Sequence, residues 1–156
     1  MTKRKLWNAI RKAGAEALDI EPELNSGGCG VFAEALATEL SKYTQASIKL
    51  VRWDDNTHDS IDHFRQTNST ESDFLKALAN YGLTHIIVQF TWDNQTYFAD
   101  AEHIVKRWED RVVEGDISIP EMQTLNSWVW PWNSMFSRSH IPAIHTAVQT
   151  AFTVLQ

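Results

Sequence analysis

The chain has 156 residues, a formal net charge of −6 at pH 7 and a single cysteine, and its length is that of one ordinary domain. One cysteine excludes an intramolecular disulfide and every zinc or iron–sulfur site that needs several cysteines. The acidic balance argues against nucleic acid as a partner, because nucleic-acid binding needs a basic face. No apolar run approaches the roughly 20 residues of a membrane span, and the cysteine count suits the reducing cytoplasm.

The first half of the chain predicts helices around one strand. Hydrophobic periodicity predicts a helix over residues 4–19 and a second helix over about 30–43, separated by a loop at Pro22, Gly27 and Gly28. A β-branched, apolar run predicts a strand over 47–53. A polar irregular segment over 54–69 follows, and then a third helix that carries Phe74, Leu75 and Leu78. The third helix is capped by Asn68 with Glu71 or by Thr70 with Asp73, and Gly82 is placed to end it.

The clearest β signal lies in the middle of the chain. The segment His85–Trp92 is strand-like, Asp93 and Asn94 form a turn pair, and residues 96–101 return, which predicts a hairpin. The elements expected after the hairpin are a short helix over about 105–111, a stretch over 112–135 broken by Gly115, Pro120 and Pro131, and an amphipathic helix that carries Ile141, Ile144, Val148, Phe152 and Leu155, with Pro142 in its first turn. Helices dominate and strands cluster in the middle, so we expect one α+β domain over residues 1–156.

The single cysteine, Cys29, lies where a glycine-rich loop gives way to the second helix. At a helix N-terminus the unpaired N–H groups and the helix dipole favour an anion, so a thiol there shifts towards the nucleophilic thiolate. The flanking Gly28 and Gly30 let a substrate backbone approach closely. The alternative is a small apolar residue of the core, because free cysteine is among the most buried residue types.

A thiol nucleophile needs a base, and the hairpin offers His85 together with Asp100. If the turn has two residues, Trp92 faces Gln95, and His85 and Asp100 lie diagonally across the strand pair on one face, roughly 7–8 Å apart. The same register buries the apolar side chains of the opposite face, so a slip by one residue would break both arrangements. Taken singly, His85 is equally a strand-end histidine in solvent. Together with Cys29 the two residues form the parts of a Cys-His-Asp triad.

These residues resemble the papain-like superfold, in particular its transglutaminase-like and arylamine N-acetyltransferase-like branches. The resemblance covers about residues 24–104 and rests on Gly28, Cys29 and Gly30 at a helix start, on residues 84–89 with the histidine, and on residues 97–101 with the aspartate. It implies a papain-like core of N-terminal helices packed on a small antiparallel sheet. Residues from about 105 to 156 lie outside the resemblance and are expected to form a C-terminal helical extension. The papain cysteine signature itself matches only at Gly27 and Cys29, so the chain is at most a pared-down relative.

The resemblance also implies the groups that would bind the substrate oxyanion. They are the backbone N–H of Cys29 and a donor from the loop before it, with Asn25 as the first choice and Ser26 as the second. The superfold hosts peptidases, amidases and acyltransferases, so the fold alone does not give the reaction. We expect a cysteine hydrolase of the peptidase or amidase type that acts on a peptide, protein or small amide without a cofactor. Acyl transfer to an amine is the close alternative.

Two histidine features compete with this interpretation. His58 and His63, together with two aspartates between them, form a cluster of metal-ligand types. The histidines are five residues apart and nearly fail to share a helix face, so no metal is expected. His103 follows Asp100 by three residues and is an alternative base.

A tryptophan-rich segment and a basic start leave a non-enzymatic function open. Residues 128–132 hold three tryptophans, among them Trp130, which could line a substrate groove or bind a partner. The alternative is that these aromatic rings close one end of the core. Five basic residues precede the first acid, Glu16, and are typical of a solvated helix face. A papain-like scaffold that only binds a partner is therefore the rival function.

Overall fold

The computed structural model describes residues 1–26, 28–52, 60–81, 83–128 and 137–156. The α-helices of these residues are α1 (Lys3–Ile20), α2 (Cys29–Leu40), α3 (Ile61–Thr67), α4 (Glu71–Ala79), α5 (Ile119–Ser127) and α6 (Ile141–Phe152). The strands are β1 (Ala46–Arg52), β2 (His85–Trp92), β3 (Gln95–Ala99), β4 (Ile104–Val105) and β5 (Arg111–Val112). The expected α+β class is confirmed. Among the described residues, no helix combines the length and the apolar character needed to cross a bilayer.

The strands form one antiparallel sheet with the order β4-β3-β2-β1-β5. Helix α2 packs on β1 and β2 at the centre of this sheet and also contacts α1, α5 and α6. Every residue of α2 except Thr38 is buried, as expected for a helix with neighbours on all sides. The cysteine at the start of α2 is therefore held between the sheet and the other helices.

The hairpin of β2 and β3 has the predicted register. Trp92 pairs with Gln95 and Phe90 with Tyr97, and both residues of the turn between the strands have positive φ, 51° at Asp93 and 62° at Asn94. Two consecutive left-handed residues make a turn whose twist matches that of the strands. Asparagine and aspartate tolerate this conformation better than other non-glycine residues, so the turn residues themselves fix the register.

Replacing Asn94 with alanine should lower the free energy of unfolding by about 1 kcal/mol, because alanine is less stable than asparagine in the left-handed region. Asn94→Gly is the matched control and should retain or raise the stability, since glycine adopts this backbone without steric cost. Urea denaturation followed by circular dichroism measures both variants. Equal midpoints for the alanine and glycine variants would show that the turn conformation does not limit stability.

Several predicted elements agree with the structure. Helices α1, α2, α4 and α6 and the strand β1 match the expected positions within a few residues. Of the two caps weighed for α4, the structure has Thr70, whose side chain accepts a hydrogen bond from the N–H of Asp73 at 3.1 Å. The C-terminal helix α6 packs against α1 and α2, so it shares one core with the N-terminal helices. The expected stop at Gly82 lies outside the described residues.

Two expectations were wrong in part. The helix expected over 105–111 is replaced by β4 and β5, which pair with β3 and β1 at the two edges of the sheet; pairing with a sheet edge outweighs local helix preference. The polar segment over 54–69 contains α3, which begins after Ser60. Helix α5 was not predicted, although its capping box of Ser118 and Glu121 is visible in the sequence.

Candidate active site

Cys29 is the first residue of α2, and the turn before the helix fixes its position. The N–H of Gly28 donates to the carbonyl of Leu24 over 2.7 Å. The carbonyl of Gly28 in turn accepts from the N–H groups of Val31 and Phe32, so Gly28 is the N-cap of the helix. The thiol is free and largely buried, with 7% of the residue exposed.

The N–H groups of Cys29 and Gly30 find no backbone acceptor in the described part of the chain. They are among the donors that a helix N-terminus leaves without an intrahelical partner. Such donors bind anions, and the helix dipole adds to the attraction. An oxyanion that forms on a carbon bonded to the Cys29 sulfur would meet these donors. The N–H of Gly28 is not available for this role, because the carbonyl of Leu24 already accepts it.

The start of α2 is held by close packing against α5 and α6. A Cβ atom on Gly30 would lie 2.7 Å from the side-chain ends of Asn126 and Met122, so a larger residue would require these side chains to move. One turn further, the buried Glu34 carboxylate accepts a hydrogen bond from Asn126 at 3.3 Å and contacts His145 at 3.0 Å. A buried carboxylate is stable only where it is paired in this way. These contacts fix the helix that presents Cys29.

The hairpin brings His85 and Asp100 together. His85 begins β2 and Asp100 directly follows β3, so the register of the pair puts the two residues diagonally across the same face. The Nε2 atom of His85 lies 2.9 Å from Oδ2 of Asp100. Both side chains are largely buried, at 14% and 7% exposed. The predicted proximity of this pair is therefore present in the structure.

The second oxygen of Asp100 is held by the turn that follows β3. Oδ1 accepts the N–H groups of Glu102 and His103 at 2.9 and 2.7 Å and lies 3.1 Å from Nδ1 of His103. Burial alone would raise the pKa of Asp100, but the hydrogen bonds and the charge of His85 outweigh it and hold this pKa below its usual value. Asp100 is thus an ionised acceptor whose orientation is fixed on both oxygens.

The pKa of His85 depends on both other members of the predicted triad. Burial would lower the pKa of His85, but the hydrogen bond to Asp100 and the interactions with Cys29 and Asp100 as charges raise it to about 9. At neutral pH the ring is therefore an imidazolium with a proton on each nitrogen. Nε2–H donates to Asp100.

The other predicted site residues are not seen in the roles that the sequence suggested for them. The side-chain amide of Asn25 donates to the Glu102 carboxylate over 2.7 Å, so it already has a strong acceptor. Ser26 ends the short 3₁₀ turn before Cys29. Trp130 lies outside the described residues, as do His58 and all of the tryptophan segment except Trp128. No group of potential metal ligands occurs among the residues that are described.

Sequence reasoning missed Trp108, which lies beside the candidate base. Its ring centroid is 5.6 Å from that of His85 at an angle of 34°, and 6.2 Å from that of His103 at 84°. Trp108 and His103 also line a pocket of about 270 Å³ next to the site. No sequence signal pointed to Trp108, because the segment that holds it was expected to be helical. The contact covers one side of the imidazole with an apolar surface.

Comparisons of the chain with protein-family models, with curated proteins and with solved structures find no match. The chemistry of the site must therefore be argued from the geometry of its own residues.

Proposed function

We propose that the chain is a cysteine-dependent hydrolase of amides or esters. The observation that carries this proposal is the 2.9 Å contact between His85 Nε2 and Asp100 Oδ2 at the buried end of the hairpin. The interactions of His85 with Asp100 and with Cys29 raise its pKa to about 9. An imidazolium between a carboxylate and a thiol stabilises the thiolate, which is the nucleophilic form of cysteine.

The proposed reaction proceeds through an acyl-enzyme. The Cys29 thiolate attacks the carbonyl carbon, and the resulting oxyanion is bound by the N–H groups at the start of α2. The imidazolium of His85 gives its Nδ1 proton to the leaving amine or alcohol as the C–N or C–O bond breaks. Neutral His85 then takes a proton from water, and the hydroxide formed attacks the thioester. The acid is released, the thiolate is restored, and the proton remains on His85.

The arrangement of the elements supports a minimal papain-like core for this hydrolase. The nucleophile is on a buried helix that packs on β2, the base begins β2, and the acid directly follows the neighbouring antiparallel strand β3. This division of the three residues between a helix and a sheet is what the resemblance implied. Fold alone does not choose between hydrolysis and transfer. Acyl transfer to an amine uses the same first step and differs only in the nucleophile that attacks the thioester.

Alkylation of the thiol tests the proposal. Iodoacetamide should modify Cys29 at about pH 6, where a free thiol with a pKa of about 8.5 is almost entirely protonated and reacts slowly. Iodoacetate, whose carboxylate is attracted to the imidazolium, should also react at neutral pH and should lose this advantage above about pH 9. Iodoacetate loses its advantage as the pH rises because the pKa of His85 is about 9: the imidazolium is present below that pH and absent above it.

His85→Ala is the matched variant for this experiment, since it keeps the thiol and removes the cation. We expect its alkylation to follow the single rise of an ordinary thiol near pH 8.5. Mass spectrometry of the intact chain locates the label without ambiguity, because Cys29 is the only cysteine. If the wild type reacts no faster than a free thiol across about pH 5–9, the hydrolase is excluded. A non-enzymatic binding module then becomes the better proposal.

A further inference from the structure

The N-terminal half of α1 carries a compact group of cations on its exposed face. Arg4, Lys5, Arg11 and Lys12 are all exposed, and Asn8, which is also exposed, lies at the centre of the group. Residues three, four and seven apart lie on the same side of a helix. At about 1.5 Å per residue, the four cations therefore lie within about 12 Å along the helix axis. These four residues form the basic face of α1.

Most of the basic face has no acidic partner within the chain. Lys12 lies 3.9 Å from Glu16, but the other three cations make no ion pair with any described residue. The chain has 20 acidic and 14 basic residues, so the lack of partners does not reflect a shortage of acids. Lys3 differs from the basic face, because its ammonium group already donates to the hydroxyl of Tyr97 at 3.2 Å.

Arg4 and Lys5 lie in the first turn of α1, where a cation is unfavourable. The N-terminus of a helix carries a partial positive charge, so acidic residues stabilise the first turn and basic residues destabilise it. The first turn of α1 contains no acidic residue. Solvation explains why these side chains are exposed, but it does not explain their place at the positive end of the helix. A local arrangement that lowers stability without a compensating contact is expected at a functional surface.

We propose that the basic face of α1 is a docking surface for an acidic segment of a partner polypeptide. The proposal does not depend on the hydrolase, since none of the four cations belongs to the candidate active site. Charge complementarity favours this occupant. An extended segment rises about 3.3 Å per residue, so about four residues rich in aspartate and glutamate span the whole basic face. Their carboxylates would also be attracted by the helix N-terminus.

Two other anionic partners fit the basic face less well. The apolar side chains of the same turns, Leu6, Trp7 and Ile10, are buried in the core, so they are not available to insert between lipids. A bilayer or a nucleic acid also extends far beyond 12 Å and would meet the rest of a chain whose net charge is −6. A short acidic segment contacts the cations and avoids that repulsion.

Fluorescence anisotropy with a labelled hexaglutamate peptide tests the docking surface at about 0.15 M salt, where exposed charges are screened beyond about 8 Å. Lys5→Gln combined with Lys12→Gln removes two charges from the basic face. Lys76→Gln combined with Lys106→Gln is the matched control, because it removes two exposed lysines elsewhere. Each pair of substitutions lowers the net charge by the same amount, and glutamine has a helix propensity close to that of lysine. Circular dichroism verifies that both variants fold.

We expect the basic-face variant to bind hexaglutamate about 5- to 10-fold more weakly than the wild type, and the control to bind within about twofold of it. A wild type that does not bind the peptide would overturn the proposal, as would an equal loss of affinity in the two variants. Phosphatidylserine vesicles and oligothymidine are measured in parallel. Tighter binding of either one than of the peptide would also overturn the proposal and would assign the basic face to a lipid surface or to nucleic acid.

Discussion

Asp100→Asn should slow acylation of the protein by an activated aryl ester by roughly 10²- to 10⁴-fold, and Cys29→Ala should abolish it. The second effect follows from loss of the nucleophile. The first follows from the way in which the turn after β3 holds the carboxylate. In the wild type, Oδ1 accepts two backbone N–H groups and Oδ2 accepts His85 Nε2–H.

Asparagine at position 100 can satisfy only part of this arrangement. Its single carbonyl oxygen is needed by the N–H groups of Glu102 and His103. The amide nitrogen then occupies the place of Oδ2 and donates towards Nε2 of His85. His85 must accept at Nε2 and carry its proton on Nδ1, so it cannot take a proton on the side that faces Cys29. The variant loses both the charge that stabilises the imidazolium and the tautomer that acts as a base.

Stopped-flow release of nitrophenolate measures the acylation rate, and mass spectrometry identifies the acylated residue. Glu71→Gln is a suitable control, because it removes an exposed carboxylate on α4 without touching the site. It should acylate at the wild-type rate. If Asp100→Asn acylates as fast as this control, Asp100 has no part in the chemistry. If Cys29→Ala still forms a covalent acyl adduct, the nucleophile is another residue.

Local patterns were sufficient for the parts of the site that depend on short-range order. The Asp93 and Asn94 turn fixes the hairpin register, and the register in turn places His85 beside Asp100. Likewise, the glycines around Cys29 mark the start of α2. Both predictions needed only the period of a strand and the residues of a turn. The fold class followed from the same signals, because helical periodicity dominates the chain and the strand signals cluster in its middle.

Contacts between distant segments could not be predicted in the same way. Trp108 reaches His85 only because β4 and β5 pair with opposite edges of the sheet, and their two-residue lengths leave no periodicity to detect. Asn25 was expected to point at the substrate, but its amide contacts Glu102, which is 77 residues away. Such pairings depend on how the elements pack and not on the sequence near either partner. The His85–Asp100 pair depends on residues close together in the sequence, whereas Trp108 and Glu102 reach their partners through contacts between distant segments.

Gly14 offers a second test with a large effect, because the helix α1 touches the backbone that carries Asp100. A Cβ atom on Gly14 would overlap the carbonyl oxygen of Ala101 and lie 2.8 Å from its carbonyl carbon. Ala101 directly follows Asp100, and both contacts involve backbone atoms that cannot rotate away. In an exposed helix, Gly→Ala normally stabilises by about 1 kcal/mol. The close approach of the Ala101 backbone should make Gly14→Ala destabilising instead.

We expect Gly14→Ala to lower the free energy of unfolding by about 3 kcal/mol, the range in which overpacking of a core is costly. Any folded fraction should also acylate more slowly, because relief of the overlap moves the Asp100 turn away from His85.

Ala15→Ser, at the adjacent exposed position of α1, adds one atom in solvent and should change stability by no more than about 0.5 kcal/mol. Urea denaturation measures the stability, and the aryl ester assay measures the site. A Gly14→Ala variant that is as stable as the wild type and acylates as fast would mean that α1 does not press on the turn. Slower acylation at unchanged stability would instead separate the two effects and assign to Gly14 a role in placing Asp100 alone.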